Sequence, residues 1–383
     1  MVIDQYFSAN NGMTISARRL GAKLSEHGNE VRIASTGKKE DTEYLMEKQY
    51  IPIFDKLVTS QGMTFAKPDE ELLEKAIRWA DIVHLLVPFA LSRAAMEICQ
   101  EFNVPYSAAF HCQPENVSSS LYLQNVKFVN DGIYWWFNRY IYQYCRHIHC
   151  PSTFIADELR NHGYEANLYV ISNGIESCFR YRKIPKTEEL QGRFVILSVG
   201  RLSVEKRQDV LIRAVAYSKH KKDIRIMLAG QGPRRKMLEQ LSKELDVAVN
   251  INFYTKNQLM DLIAMSDLYV HASDAEIEAM SCMEAFAGGL VPIIADSKKS
   301  ATPQFALDER SLFTAGDPLA LAKKIDYWME HEHERKEAEY RYSESAKAYD
   351  LDQCVYRVEE MFMQVINNSR GAENEQPEFG YAK

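Results

Sequence analysis

"FVILSVG", residues 194–200, is an apolar run closed by a glycine, and the pattern of the next hundred residues decides the fold. A polar stretch of helical period separates it from "IRIMLAG" (224–230). The same alternation continues through "VNINFY" (249–254), "LYVHAS" (268–273) and "LVPIIAD" (290–296). Near-continuous apolar strands alternating with helices predict a doubly wound parallel sheet, α/β in class, with helices on both faces. Upstream, "MVID" (1–4), "EVRIAST" (30–36), "ADIVHLLV" (80–87), "VPYSAAFH" (104–111) and "HIHCPS" (147–152) obey the same rule, and "TISARRLGAKLSEHG" (14–28) is the first amphipathic helix. The chain therefore predicts two Rossmann-like domains.

Between the two series, residues 162–193 break the rhythm with turn residues, a proline and charges, as an inter-domain connection does. The expected division is an N-terminal domain over 1–170, a linker over 171–192 and a second domain over 193–335. Helices over 336–367 are expected to return to the first domain. Residues 368–383 are polar, with little to bury, and are expected to be disordered. "MVID" reads as the tail of a buried strand, so the true start is expected a few residues upstream.

Composition narrows the function. At 383 residues with 46% hydrophobic and 26% charged residues, the chain is of soluble globular type and long enough for two cores. A net charge of −7 argues against a general nucleic-acid binder. The seven cysteines are scattered and form no CxxC, so neither a disulfide framework nor a zinc site is expected, and a reducing cytoplasm is the natural setting. No apolar run reaches the length of a membrane span, and no signal peptide is evident.

In open α/β sheets, ligands bind beyond the carboxyl ends of the strands. Asn10, Asn11, Gly12 and His111 fall there in the first half; Gly200, Arg201, Gly230, Gly232 and Ser273–Glu276 fall there in the second. Arg201 and Lys206, after a strand and before a helix, would make a pocket for a diphosphate. The alternative is a solvated basic turn paired with Glu205 or Asp209. Gly230 and Gly232 would let a nucleotide approach the backbone, or serve a plain turn. In "SDAEIEAMSCMEAFAGG" (273–289), Glu276 and Glu284 stand eight positions apart. On one continuous helix they would be separated by roughly 12 Å, so they can share a ligand only if Glu276 sits in a loop curling over the start of a helix that carries Glu284. Ser273-x-x-Glu276 and Ser281-x-x-Glu284 also have the form of capping boxes.

The order G-R-L-x-x-E-K, then G-x-G-P after a strand, then E-x7-E before a helix of small residues, resembles the large family of nucleotide-sugar-dependent retaining glycosyltransferases that is fourth in the sequence-based classification. "ISNGIE" (171–176) matches its domain-joining segment, and the likeness spans nearly the whole chain. The resemblance implies a GT-B fold, two domains facing each other across a cleft, with the last helix crossing back to the first. It implies that Arg201 and Lys206 hold the donor diphosphate and offset the charge of the leaving group, that Glu284 accepts from the ribose hydroxyls, and that Glu276 engages the donor sugar. Ala279 and Met280, beside Glu278, belong to the same donor-binding stretch. Gly12 and Asn11 would border the diphosphate, and His111 would lie beside the sugar and the acceptor. No metal and no further cofactor is implied, because the cations take magnesium's place.

Departures from the family pattern bear on the donor. Where Gly-Phe-Gly commonly comes after the first glutamate, this chain has Ile277-Glu278-Ala279, and Glu278 either contacts a sugar hydroxyl or faces water. "SKKSAT" (297–302) replaces a glycine-rich loop. The aromatic stretch 128–149 is either a helix whose rings are core or an interfacial surface. The closest-looking branch acts on membrane lipids such as diacylglycerol, which implies a peripheral membrane enzyme. UDP-glucose is the first expectation for the donor, followed by UDP-galactose and GDP-mannose. Transfer to a saccharide or cell-surface polysaccharide precursor, a GT-B nucleotide-sugar epimerase, and a regulatory subunit without turnover are the alternatives.

Overall fold

The structure is a computed structural model describing residues 1–7, 12–50, 63–119 and 123–374. The chain forms two compact units. One comprises Met1–Cys112, Asp131–Ile171 and the chain from Asp352 onward; the other comprises Gln113–Asn130 and Ser172–Leu351.

The first unit is built on strands β1 (Val2–Gln5), β2 (Ala34–Thr36), β3 (Tyr44–Leu45), β4 (Lys48–Gln49), β5 (Phe65–Ala66), β6 (Val83–Leu85), β7 (Tyr106–Ala109), β8 (His147–Cys150) and β9 (Asn167–Val170). Seven form one parallel sheet in the order β3-β2-β1-β6-β7-β8-β9, while β4 and β5 make a separate antiparallel pair. Ile3, Ala17, Leu86 and Ala109 are among the residues of its core.

The second unit contains β10 (Phe194–Val199), β11 (Ile224–Ala229), β12 (Val249–Asn252), β13 (Leu268–His271), β14 (Ala275–Glu276), β15 (Pro292–Asp296), β16 (Lys299–Ser300) and β17 (Leu312–Thr314). Its main sheet runs β12-β11-β10-β13-β15-β17 and every pair in it is parallel. Val195, Ile196 and Leu197 are each 0% exposed, because helices cover both faces of β10 and its central positions meet no water. The strand order reverses direction between β10 and β13. The carboxyl ends of those two strands are therefore the topological switch point, where an open α/β sheet leaves a crevice.

The strand "EVRIAST" shrinks to Ala34–Thr36, and β9 lies inside the stretch read as connection. β17, three residues long, carried no signal of its own. The segment read as linker, from Ser172 on, folds with the second unit, and so does Gln113–Asn130. The returning helices divide: Glu332–Ser345 stays with the second unit, and the helix Leu351–Asn374 joins the first from Asp352 on. Residues 368–374, read as the start of a disordered tail, continue this helix, no proline intervening before Pro377. The rest of that tail, 375–383, lies outside the described residues.

Candidate functional site

Two loops meet at the switch point of the second unit. The loop after β10 carries Gly200–Arg207, and the segment after β13 carries Ser273–Glu276. Three consecutive residues of the first grip the second. The Glu205 carbonyl accepts from Asp274 N (2.8 Å) and from Ser273 Oγ (3.0 Å), Lys206 Nζ donates to Glu276 Oε1, and Arg207 Nη1 donates to Asp274 Oδ2 at 2.8 Å. Arg201 Nη2 lies 2.9 Å from Glu205 Oε1. Burial works against a charge on Glu205, yet Arg201, Ser203 and Lys206 hold its carboxyl below the usual range. The alternative reading of Arg201 as paired with Glu205 is therefore realised, but in a buried frame and not in a solvated turn.

Glu276 is fixed from both ends. Its backbone belongs to β14, which pairs in parallel with β16 in the register Ala275↔Lys299 and Glu276↔Ser300, and its carbonyl accepts from Ala301 N at 2.9 Å. The stretch that replaces the glycine-rich loop thus holds Glu276 in place. Lys299 is itself braced by Gln113 Nε2, which donates to its carbonyl at 2.9 Å, and by Asn125, which accepts from its ammonium. The Glu276 side chain meets Lys206 and His271, with His271 Nε2 3.1 Å from Oε1. Burial pushes its pKa up, but the charges and hydrogen bonds of Lys206 and His271 outweigh this and hold the carboxyl well below the usual range. Glu276 is ionised at neutral pH.

Neither capping box forms. Glu276 is in a strand, and Ser273 spends its hydroxyl on backbone carbonyls. Ser281 lies inside the helix Met280–Ala287, whose N-cap is Ala279 with no side-chain cap, and its Oγ donates to Val199 O at 3.2 Å. The capping readings are therefore corrected. A strand for Glu276 followed by a helix carrying the buried Glu284 is the loop-over-helix arrangement that the eight-residue spacing demanded. Ala279 turns the chain into that helix at φ +65°, in the left-handed region that non-glycine residues rarely adopt.

The other expected site residues are spread more widely. A Cβ on Gly230 would stand 2.0 Å from Gly200 O, and one on Gly232 would stand 2.4 Å from Leu202 O. The close approach these glycines permit is thus to the backbone of the neighbouring segment 200–202. Glu278 faces neither water nor open space: it is 3% exposed, and Oε2 accepts from Asn173 N at 3.0 Å and from Asn173 Nδ2 at 2.6 Å. Burial raises its pKa to about 7 against the pull of the bonds from Ser172 and Asn173. Met280 opens the helix that carries Glu284.

In the first unit, Gly12 is exposed at the start of the helix Gly12–Glu26, and Asn10 and Asn11 lie outside the described residues. His111 comes just after β7 and packs edge-on to His149, with ring centroids 5.5 Å apart. Burial, then the neighbouring His149, pushes its pKa down to about 3, so it is a neutral imidazole at physiological pH. Sequence reasoning missed His271 and Arg207, and it placed Asp274 at a strand end without giving it the Arg207 partner found here. The signal for His271 was a polar residue ending the apolar run "LYVH", five positions before Glu276.

Family models match both halves of the chain. The model described as Glycosyltransferase Family 4 matches residues 10–177, and the one described as Glycosyl transferases group 1 matches residues 180–348. The chain belongs to the group 1 glycosyltransferases. Similar curated proteins include the alpha-monoglucosyldiacylglycerol synthase of Streptococcus pneumoniae, 24% identical over 76% of this chain and 69% of the relative. Another is the GDP-mannose-dependent alpha-mannosyltransferase of Corynebacterium glutamicum, 24% identical over 77% and 71%. The catalytic domain of a cholesterol-alpha-glucosyltransferase from Helicobacter pylori is 47% identical over 41% of this chain and 98% of that one, with a TM-score of 0.40. Anabaena HepE, solved with UDP and glucose, covers 95% of this glycosyltransferase and 98% of its own chain at 15% identity, with a TM-score of 0.72. The fold of this glycosyltransferase is accordingly GT-B, with two parallel-sheet α/β domains.

Proposed function

We propose that this glycosyltransferase moves glucose from UDP-glucose to a hydroxyl of a membrane lipid such as diacylglycerol, with retention at the anomeric carbon. The observation that carries the reading is the convergence of Arg201, Lys206 and Glu276 on the switch point of the second unit. Arg201 and Lys206 receive the diphosphate and offset the charge it gains on leaving, an effect worth a few kcal/mol per well-aimed group. Glu284 takes the ribose hydroxyls, and Glu276 orients the sugar. A glycosidase would use two carboxylates flanking the scissile bond. Here Glu276 is instead already tied to Lys206 and His271, a posture suited to holding a hydroxyl. The name of the pneumococcal relative supports the lipid acceptor and the glucosyl group; that of the corynebacterial one makes GDP-mannose the donor to test against.

Thermal-shift measurements with UDP-glucose, UDP-galactose and GDP-mannose test the donor, since a ligand present at about 100 times its Kd stabilises the folded state by roughly 2.7 kcal/mol. The largest shift is expected with UDP-glucose. Incubation of that donor with vesicles containing diacylglycerol or cholesterol should then yield an α-linked glucolipid. Product formed without acceptor would point to epimerisation, and a β linkage would overturn retention.

The aromatic helix Lys127–Tyr140 supports membrane attachment. The structure splits its rings: Tyr134 and Phe137 are 1% exposed, whereas Phe128, Trp135 and Trp136 are 78%, 65% and 44% exposed. Phe128, Gly132, Trp135, Trp136 and Arg139 recur at helical spacing, so the exposed rings share one face with a cation. None of the described helices is long and apolar enough to cross a membrane, but such a face suits the headgroup layer of an anionic bilayer. Replacing Trp135 and Trp136 together with Gln should cut co-sedimentation with anionic vesicles by about tenfold, taking roughly 1.4 kcal/mol of lost interfacial burial. Unchanged binding would remove this helix from the membrane contact.

A further inference from the structure

His271 ends β13 directly beneath Glu276, and a run of hydrogen bonds leads away from it. Val199 O, at the end of β10, accepts from Ser281 Oγ at 3.2 Å, and Ser281 Oγ accepts from Tyr269 Oη at 3.2 Å. Tyr269 Oη lies 3.3 Å from His271 Nδ1, and His271 Nε2 lies 3.1 Å from Glu276 Oε1. All of these side chains belong to the second unit. Tyr269 and His271 are two apart on one strand and so share its face, with ring centroids 6.1 Å apart.

The direction of each bond is set by its far end. A carbonyl only accepts, so the Ser281 hydroxyl donates to Val199. The Tyr269 hydroxyl then donates to Ser281, and its oxygen is left to accept from Nδ1–H of His271. At the other ring nitrogen stands an ionised carboxylate, which also only accepts, so Nε2 must carry a proton as well. The assignment that satisfies every bond is an imidazolium. The groups joined to it are Tyr269 on its own strand, Ser281 beyond it on the helix Met280–Ala287, and Glu276 on β14, with Lys206 from the loop after β10 on the same carboxylate oxygen. His271 is 3% exposed, so its ring is withdrawn from bulk solvent.

We propose that His271 is the positioning residue of the donor site, a doubly protonated imidazole that keeps the Glu276 carboxylate aimed when Lys206 turns to the donor diphosphate. Lys206 and His271 both donate to the same oxygen, Oε1. Lys206, a mobile point charge on a flexible stem, is the one able to leave; His271 is held by Tyr269 and stays. Glu276 thereby keeps one cationic partner throughout, and Oε2 remains available to a sugar hydroxyl. The proposal rests on the reading of Glu276 and Lys206 as donor ligands.

Nitrogen NMR of protein labelled with 15N-histidine, with the H271Q spectrum used to assign the signal, reads the protonation state directly. Both ring nitrogens of His271 are expected to bear protons in the folded protein; a neutral imidazole with one bare nitrogen overturns the proposal. In kinetics, His271→Phe should lower kcat by about tenfold or more through misplacement of Glu276, with UDP affinity unchanged. His271→Gln, which can still donate to Oε1, should recover most of that loss. Wild-type kcat in both variants, beside a large loss in E276Q, overturns the role of His271 alone. Wild-type kcat in E276Q would instead overturn the donor-site reading beneath it. If H271F fails to fold, the NMR result and H271Q decide.

Discussion

Replacing Glu276 by Gln should lower kcat by about 10²–10³-fold, the loss typical of removing one preorganised polar group from a transition-state site, and leave UDP affinity intact or tighter. The two halves of this expectation have different origins. The loss in kcat comes from the sugar: Gln has nearly the shape of Glu but only half its accepting capacity and no charge, so a donor hydroxyl that strengthens its bond as the anomeric carbon turns cationic gains less. The unchanged or improved nucleotide affinity comes from Lys206. In the free protein Lys206 Nζ is bonded to Glu276 Oε1, with the pair largely buried at 20% and 11% side-chain exposure. Any diphosphate that recruits Lys206 must first separate that pair, and breaking a largely buried ion pair is expensive. E276Q removes the attraction in advance. Titration calorimetry with UDP and initial rates with the full donor separate the two effects. Parallel loss of affinity and turnover would mean that Glu276 only shapes the nucleotide pocket.

The main strands and the site were legible in the sequence to different depths. β10, β11, β13 and β15 lie inside a sheet covered on both faces, so each appears as a short, near-continuous apolar run between helix-period stretches. β9 and β17 stand at sheet edges and are four and three residues long; β9 falls inside the stretch read as connection, and β17 carries no signal of its own. Arg201, Lys206 and Glu276 could be found because they stand at strand ends, where the fold class alone directs attention. What brings them together was not legible. Lys206 and Glu276 are 70 positions apart, and the Gln113 amide that braces Lys299 is 186 positions from it. Such partners are chosen by topology, not by spacing. The capping boxes show the converse failure: Ser281 has the right local neighbours for a cap, but its hydroxyl finds Val199 O, 82 positions away, on the strand beside it. A tertiary acceptor outcompeted the local one, and the helix begins instead from a strained Ala279.

Replacing Glu278 by Gln should stabilise the protein, and by an amount that grows with pH. Glu278 is buried, its pKa raised from an ordinary 4.5 to about 7. Below pH 4.5 both folded and unfolded chains hold the proton and Glu278 carries no ionisation penalty. Between 4.5 and about 7 the unfolded chain releases the proton while the folded chain keeps it, so stability falls as pH rises. Above about 7 both forms are ionised and the full penalty remains, about 3 kcal/mol at roughly 1.4 kcal/mol per pH unit. Gln at 278 has no charge to bury, and its carbonyl oxygen can take over the role of Oε2, accepting from the backbone and side-chain amides of Asn173. E278Q and the wild type should therefore unfold at similar urea concentrations near pH 5 and diverge near pH 8, with the variant the more stable. Asp4, whose pKa burial also raises to about 7, is present in both proteins and cancels from the difference. A pH-independent difference would show that Glu278 does not titrate in this range. The place of Glu278 gives that penalty a use: it ties the segment Ser172–Gly174 to the turn between Glu276 and the helix of Glu284. A carboxylate costly to ionise holds that turn by accepting two amide protons of Asn173. E278Q preserves both bonds, so its turnover should stay near that of the wild type while its stability rises; a fall in kcat with the bonds intact would mean that the charge itself serves the donor.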